Sequence, residues 1–278
     1  MITISVILII INVAVSWKGF NDRLFYERYA FKVERLLLHK EYFRLITSAF
    51  LHVNWMHLIW NMIALYAFSD SVETYLGPLQ FLLIYFASMI AGDLLSLFIH
   101  RHHGDFGSVG ASAAVNGIIF AAIAIFPGMK IGFFFLPLDI PAWLFGLAYV
   151  LISIYGIRSR NNNVGHEAHL GGALVGMLIG IIMFPDSLTE NYLPILAITI
   201  PSLIFMFTII KKPHALLVDN NYFKTHQRYY SPDHRYNAER ASKQKELDDI
   251  LDKINRKGIK SLTPKEKELL QKYSKTLR

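Results

Sequence analysis

Six stretches of this chain, at about residues 1–17, 52–68, 79–99, 111–127, 141–157 and 169–185, are apolar blocks with almost no charge. Each runs to roughly 17 to 21 residues, close to the ~20 that a helix needs to cross the hydrocarbon of a bilayer. A seventh block, 192–210, has the same character but carries Pro194 and Pro201, which can break a helix. The expected fold class is therefore all-α: a polytopic membrane helix bundle of six transmembrane helices plus a seventh over 192–210. The first block lacks a positively charged leader and a small-residue cleavage site, so it reads as a retained first helix, with the mature chain starting near Met1.

Charge divides the chain differently. Residues 211–278 hold 17 Lys/Arg against 9 Asp/Glu, whereas the remainder holds 11 against 12, so the tail supplies the whole net charge of +7. The expected organisation is a transmembrane core over 1–190, an extra transmembrane or interfacial helix over 191–210, and a basic soluble tail over 211–278. Nucleic-acid binding does not follow from such a tail. Beside a membrane it reads as attraction to anionic headgroups or as an ordinary solvated surface. Within it, Leu247, Ile250, Leu251 and Ile254 recur at helical spacing up to Gly258. Thr263-Pro264-Lys265-Glu266 then opens a second helix as N-cap, N1 proline and capping-box glutamate. The predicted hairpin docks on a partner that the sequence does not name.

Between the first two blocks, residues 18–51 mix charges with Phe20, Phe25, Tyr26, Tyr29, Phe31, Tyr42 and Phe43, a composition suited to the bilayer interface. Residues 69–78 read as a loop ending in Gly77-Pro78. The loop 100–110 holds His100, His102 and His103 and closes on Gly104, Gly107 and Gly110.

Polar groups inside apolar blocks need partners and are functional candidates by default. Ser112 lies where the glycine-rich loop becomes an apolar helix, so its hydroxyl sits at a helix N-terminus whose free N–H groups can hold an oxyanion. His169 stands at the head of another apolar helix, in which Gly172, Gly176 and Gly180 step by four along one face. Ala113, Gly117 and Ala121 offer a matching stripe, so the two helices can pack backbone to backbone with Ser112 and His169 facing each other as nucleophile and base. His57 and Asn61, four residues apart, share a helix face and can both donate to a developing oxyanion. His52, five residues before His57, lies about 140° round the helix from it, placed to order the mouth of the site.

Other chemistries fit less well. The chain has no cysteine, which excludes a thiol nucleophile, disulfides and Cys-ligated zinc. His166-Glu167-Ala168-His169 spaces its histidines by three, where the zinc-protease motif needs four, and no metal is expected. An aspartyl dyad needs two carboxylates in the membrane, and Asp93 alone lies at mid-depth, where it reads as a structural contact.

Taken together, His52-x4-His57-x3-Asn61, Glu73-x3-Gly77, Gly110-x-Ser112 and Ala168-His169-x2-Gly172-x3-Gly176 resemble, in order and spacing, the rhomboid intramembrane serine proteases of bacterial type, over about residues 1–190. That resemblance implies a Ser112–His169 dyad with no required aspartate and no cofactor. It also implies an oxyanion hole of His57, Asn61 and the Ser112 amide, and substrates that are themselves membrane proteins. Tyr42-Phe43-Arg44 resembles the family's aromatic-arginine element, with Arg44 and Glu73 as supporting residues, and the location implied is a bacterial inner or plasma membrane. The departure is Ala113, where the family usually has glycine after the serine; Asn116 follows one turn later.

Ala113 motivates the alternative function, a catalytically inactive rhomboid-like protein that binds client transmembrane helices. A transporter with midplane histidines ranks third, because charged residues along a pathway are scarce. With seven spans, the positive-inside rule puts the site mouth in the cytosol, whereas an interfacial 192–210 leaves orientation open.

Overall fold

The computed structural model describes residues 3–133, 136–159 and 165–211, together with Ile250, Lys253, Ile254, Leu262 and Thr263. The chain divides into two compact units, Met1–Phe223 and Lys224–Arg278. In the first, the helices are α1 (Ile4–Asn21), α2 (Arg23–Tyr29), α3 (Val33–Leu37), α4 (Arg44–Thr47), α5 (Trp55–Leu76), α6 (Pro78–His100), α7 (Ser112–Ile125), α8 (Ala142–Ser159), α9 (His166–Met183), α10 (Ser187–Glu190) and α11 (Tyr192–Lys211). The helical architecture is interrupted by two antiparallel strand pairs, β1 (Phe31–Lys32) with β2 (Gly107–Ser108) and β3 (Lys130–Phe133) with β4 (Leu136–Pro141). All-α thus describes the bundle and not these two ribbons.

Among the described residues, four helices are long and apolar enough to cross a membrane: Ile4–Asn21, Pro78–His100, His166–Met183 and Tyr192–Ile209. The helices at Ser112–Ile125 and Ala142–Ile157 are apolar but shorter. The expected loop at 69–78 is corrected, because α5 runs for 22 residues through Asp70 and Glu73 and stops only at Gly77, whose φ of +95° suits glycine. Polarity at that end of α5 has a use: the Glu73 carboxylate accepts the N–H groups of Ile4 at 2.6 Å and Ser5 at 3.0 Å, covering the otherwise open N-terminus of α1.

α11 is continuous through the prolines that were expected to threaten it. Pro194 sits in the first turn, where its missing N–H costs nothing, and Pro201 lies inside the helix. Thr199 and Ser202 beside it return their hydroxyls to the helix, donating to the carbonyls of Ile195 and Ile198, each at 2.7 Å.

The centre of the bundle is α7, from Ala113 to Ile125 buried at every position, with α6 and α9 packed on it. Glycine makes this possible. A Cβ on Gly172 would come within 2.1 Å of the Ala113 carbonyl oxygen, and one on Gly176 within 2.2 Å of the Gly117 oxygen. The stripes read from the sequence therefore meet, Gly180 lying against Ala121 at the far end.

Of residues 18–51, the first four complete α1 and the rest form α2 to α4, β1 and a 3-10 turn. Arg44, almost fully buried, donates to the Glu27 and Ala30 carbonyls at 2.9 and 2.6 Å and to the Glu41 carboxylate at 2.6 Å. That bond holds the Glu41 carboxyl below the usual range; Lys32 does the same for Glu27.

In the second unit, Ile250 and Leu262 are buried and Ile250 and Ile254 are helical. The remainder of the expected hairpin, including Leu247, Leu251, Gly258 and Pro264 to Glu266, lies outside the described residues.

Candidate active site

Ser112 is the first residue of α7, so it sits beside first-turn N–H groups that have no partner within the helix. The loop leading to it is fixed at several points. β2 pairs with β1, the Val33 and Glu34 amides donate to the Phe106 and Gly104 carbonyls, and the Gly110 N–H donates to the Ser48 carbonyl at 3.1 Å. Gly110 has φ +134°, and a Cβ there would fall 2.7 Å from the His57 ring, so this glycine both turns the chain and lets the imidazole approach.

α9 begins at His166, three residues before the expected start, which makes His169 the fourth residue of its helix. Its Nε2 lies 2.7 Å from Ser112 Oγ, the contact expected of a nucleophile and base. Behind it, His100 Nε2 and a Glu167 carboxylate oxygen are 2.9 Å apart, and the His100 ring is stacked on Phe106 with centroids 3.6 Å apart. The pair ties the end of α6 to the start of α9.

The position argued for His52 from a helical wheel is corrected. The Asn54 side chain caps α5 by accepting the His57 N–H at 2.8 Å, so His52 precedes the helix. From there its Nδ1 lies 2.8 Å from Ser16 Oγ and its Nε2 accepts the Ala111 N–H at 3.4 Å. His52 therefore connects α1 to the residue that precedes the serine. The His57 ring packs across that of His52, with centroids 5.0 Å apart, and Asn61 is on the same α5 face, one amide hydrogen engaged by the His57 carbonyl at 2.9 Å. Asp93 makes a structural contact with Ser48 Oγ at 3.1 Å.

Ala113 proves easy to accommodate. It lies within α7, and Lys40 is the one non-glycine residue with positive φ among those described, so no left-handed turn is asked of the alanine. Its methyl faces Gly92 of α6, where an added Cβ would sit 2.7 Å from it.

Two neighbours of the site were not assigned roles from the sequence. Tyr149 of α8 places its hydroxyl oxygen 2.8 Å from His169 Nδ1, and Asn116 donates through Nδ2 both to that oxygen at 2.9 Å and to the Ser112 carbonyl at 2.8 Å. Tyr149 is one of 14 tyrosines, set in an apolar block with no spacing to mark it. Its only signal was a polar atom in a membrane helix.

The fold and its site thus define an integral, multi-pass membrane protein with a serine and a histidine in hydrogen-bond contact at a helix N-terminus. The Rhomboid domain family matches residues 39–186, and the chain belongs to the rhomboid family. It is 38% identical over 152 residues to Rhomboid protein 1, mitochondrial, of Saccharomyces cerevisiae, covering 52% of this chain and 44% of that protein. To RHOMBOID-like protein 12, mitochondrial, of Arabidopsis thaliana it is 31% identical over 183 residues, covering 60% and 54%. To the human presenilin-associated rhomboid-like protein, mitochondrial, it is 30% identical over 139 residues, covering 48% and 36%. The chain therefore spans about half or less of the length of these relatives, all three of them mitochondrial proteins. Residues 230–276 match a separate family of unknown function (DUF6576).

Proposed function

We propose that this chain is an intramembrane serine endopeptidase that cleaves transmembrane or membrane-proximal segments of other membrane proteins. The observation that carries the reading is the 2.7 Å contact between Ser112 Oγ and His169 Nε2 at the head of α7. In the proposed reaction the Ser112 hydroxyl proton passes to His169 Nε2 as Oγ forms a bond to the substrate carbonyl carbon. The carbonyl electron pair moves to oxygen, and the Ser112 amide, His57 and Asn61 stabilise that oxyanion. Collapse breaks the C–N bond, His169 returns the proton to the leaving amine, and water attacks the acyl-enzyme by the same steps.

The proposal includes a bundle of six or seven spans, with α5, α7 and α8 joining the four long apolar helices, and a core over 1–190 carrying a separate basic tail. The membrane is proposed to be a bacterial one from the motif resemblance, and cell fractionation tests this independently of activity. The client-binding alternative rests on Ala113, and the seating of that methyl over Gly92 weakens it.

The test is covalent labelling. Detergent-solubilised protein is incubated with a fluorophosphonate and the modified residue mapped by mass spectrometry, alongside cleavage of a model transmembrane substrate. Labelling at Ser112 that is lost in His169→Ala is the expected result. Folded protein that neither labels nor cleaves would overturn it in favour of client binding.

A further inference from the structure

Resting on the protease reading, we infer that Tyr149 is a third member of the site, positioning His169 through Nδ1, and that Asn116 braces Tyr149. A dyad leaves open what fixes the far side of the imidazole. Here the Tyr149 oxygen occupies that place at 2.8 Å, and the Tyr149 and His169 rings are 6.0 Å apart and inclined by 30°.

The hydrogen-bond inventory permits a division of protons among the three groups that suits the reaction. The Ser112 carbonyl only accepts, so the Asn116 atom 2.8 Å from it is the amide nitrogen, and the two hydrogens on that nitrogen are taken by this carbonyl and by the Tyr149 oxygen. A phenolic oxygen has one proton and two acceptor sites. Asn116 fills one site. The other is free to receive Nδ1–H of His169, which leaves Nε2 bare to take the Ser112 proton. When the imidazolium forms, both of its N–H groups are then directed, Nδ1–H at Tyr149 and Nε2–H along the reaction path. No proton leaves Nδ1 and no carboxylate is needed.

Asn116 thus joins the nucleophile's own backbone carbonyl to the group that orients the base. It sets the start of α7 and the ring on α9 relative to each other through one side chain of α8. Tyr149 and Asn116 are positioning residues, since neither touches the reacting atoms.

The experiment uses the full-length chain in bicelles, with the fluorophosphonate labelling rate of Ser112 and kcat and KM for a model transmembrane substrate. Tyr149→Phe keeps the ring and removes the hydroxyl. Its kcat and labelling rate are expected to fall together by about 10- to 100-fold, the cost of a misplaced reacting group, with KM within about twofold. Asn116→Ala is expected to lower kcat less. The double variant is expected to fall no further than Tyr149→Phe, because Asn116 acts through the hydroxyl already lost.

Wild-type kcat in Tyr149→Phe, or two losses that simply multiply, would overturn the inference. If Tyr149→Phe does not fold, Asn116→Ala with wild-type kcat overturns it on its own. A wild-type protein that does not label and does not cleave fails at the protease reading, whereas an active wild type matched by an equally active Tyr149→Phe fails at this inference alone.

Discussion

Ala113 lays its methyl group against the bare Cα of Gly92, a helix away, where a second Cβ would be 2.7 Å from it. The two positions share one volume. The same Gly92 also faces the Ala168 carbonyl oxygen, at 2.5 Å from a hypothetical Cβ, so it makes room for the histidine helix as well as for the serine helix.

Gly92→Ala is accordingly expected to destabilise the bundle by about 1–3 kcal/mol through overpacking. Ala113→Gly is expected to change stability by about 1 kcal/mol or less and to leave Ser112 reactive. SDS-titrated unfolding of both variants, with labelling on the second, checks the asymmetry.

Ser112→Ala and His169→Ala are each expected to fold with near wild-type stability and to lose cleavage by about 10³-fold or more. The double variant should lose hardly more than either alone, since the two groups act as a unit. Single-turnover assays on a transmembrane substrate measure this.

Removing the carboxylate that covers the start of α1 is expected to cost stability and not chemistry. Glu73→Ala should lower unfolding free energy by about 2 kcal/mol, because two N–H groups and the helix dipole lose their acceptor. Glu73→Gln should cost less. Labelling of Ser112 in the fraction that remains folded should be unchanged.

Acidification should loosen residues 18–51 before it reaches the bundle. The Glu41 carboxyl is held below its ordinary 4.5 chiefly by the hydrogen bond from Arg44. A depressed folded-state value means that its contribution is complete above 4.5 and is lost as pH falls through the lower folded value. Hydrogen exchange at residues 27–47 should rise over that acid range in wild type and be flatter in Glu41→Gln.

Much of the site was legible because its parts are short-range patterns. The serine is marked by a glycine-rich loop giving way to an apolar block, while His57 with Asn61 and the stripes Ala113/Gly117/Ala121 and Gly172/Gly176/Gly180 follow from helix periodicity. What escaped depends on contacts between distant segments. Tyr149 meets His169 only because α8 packs beside α9, and Gly92 is one glycine of 17 until α6 is seen against Ala113. The misplacement of His52 has a local cause: Asn54 was not read as an N-cap, so the helix was begun three residues early. The reach of α5 past residue 68 was missed because Asp70 and Glu73 read as loop, while Glu73 was in fact committed to the end of another helix.

The strand pair between Phe31–Lys32 and Gly107–Ser108, with the bond from Gly110 to Ser48, joins the aromatic-rich segment to the approach to Ser112. Two residues after that last bond comes the alcohol itself. On the protease reading, a displacement of that segment would be carried by these bonds to the alcohol. Leaflet thickness and lateral pressure would then act on that alcohol as control variables, much as concentration acts on a reactant in water.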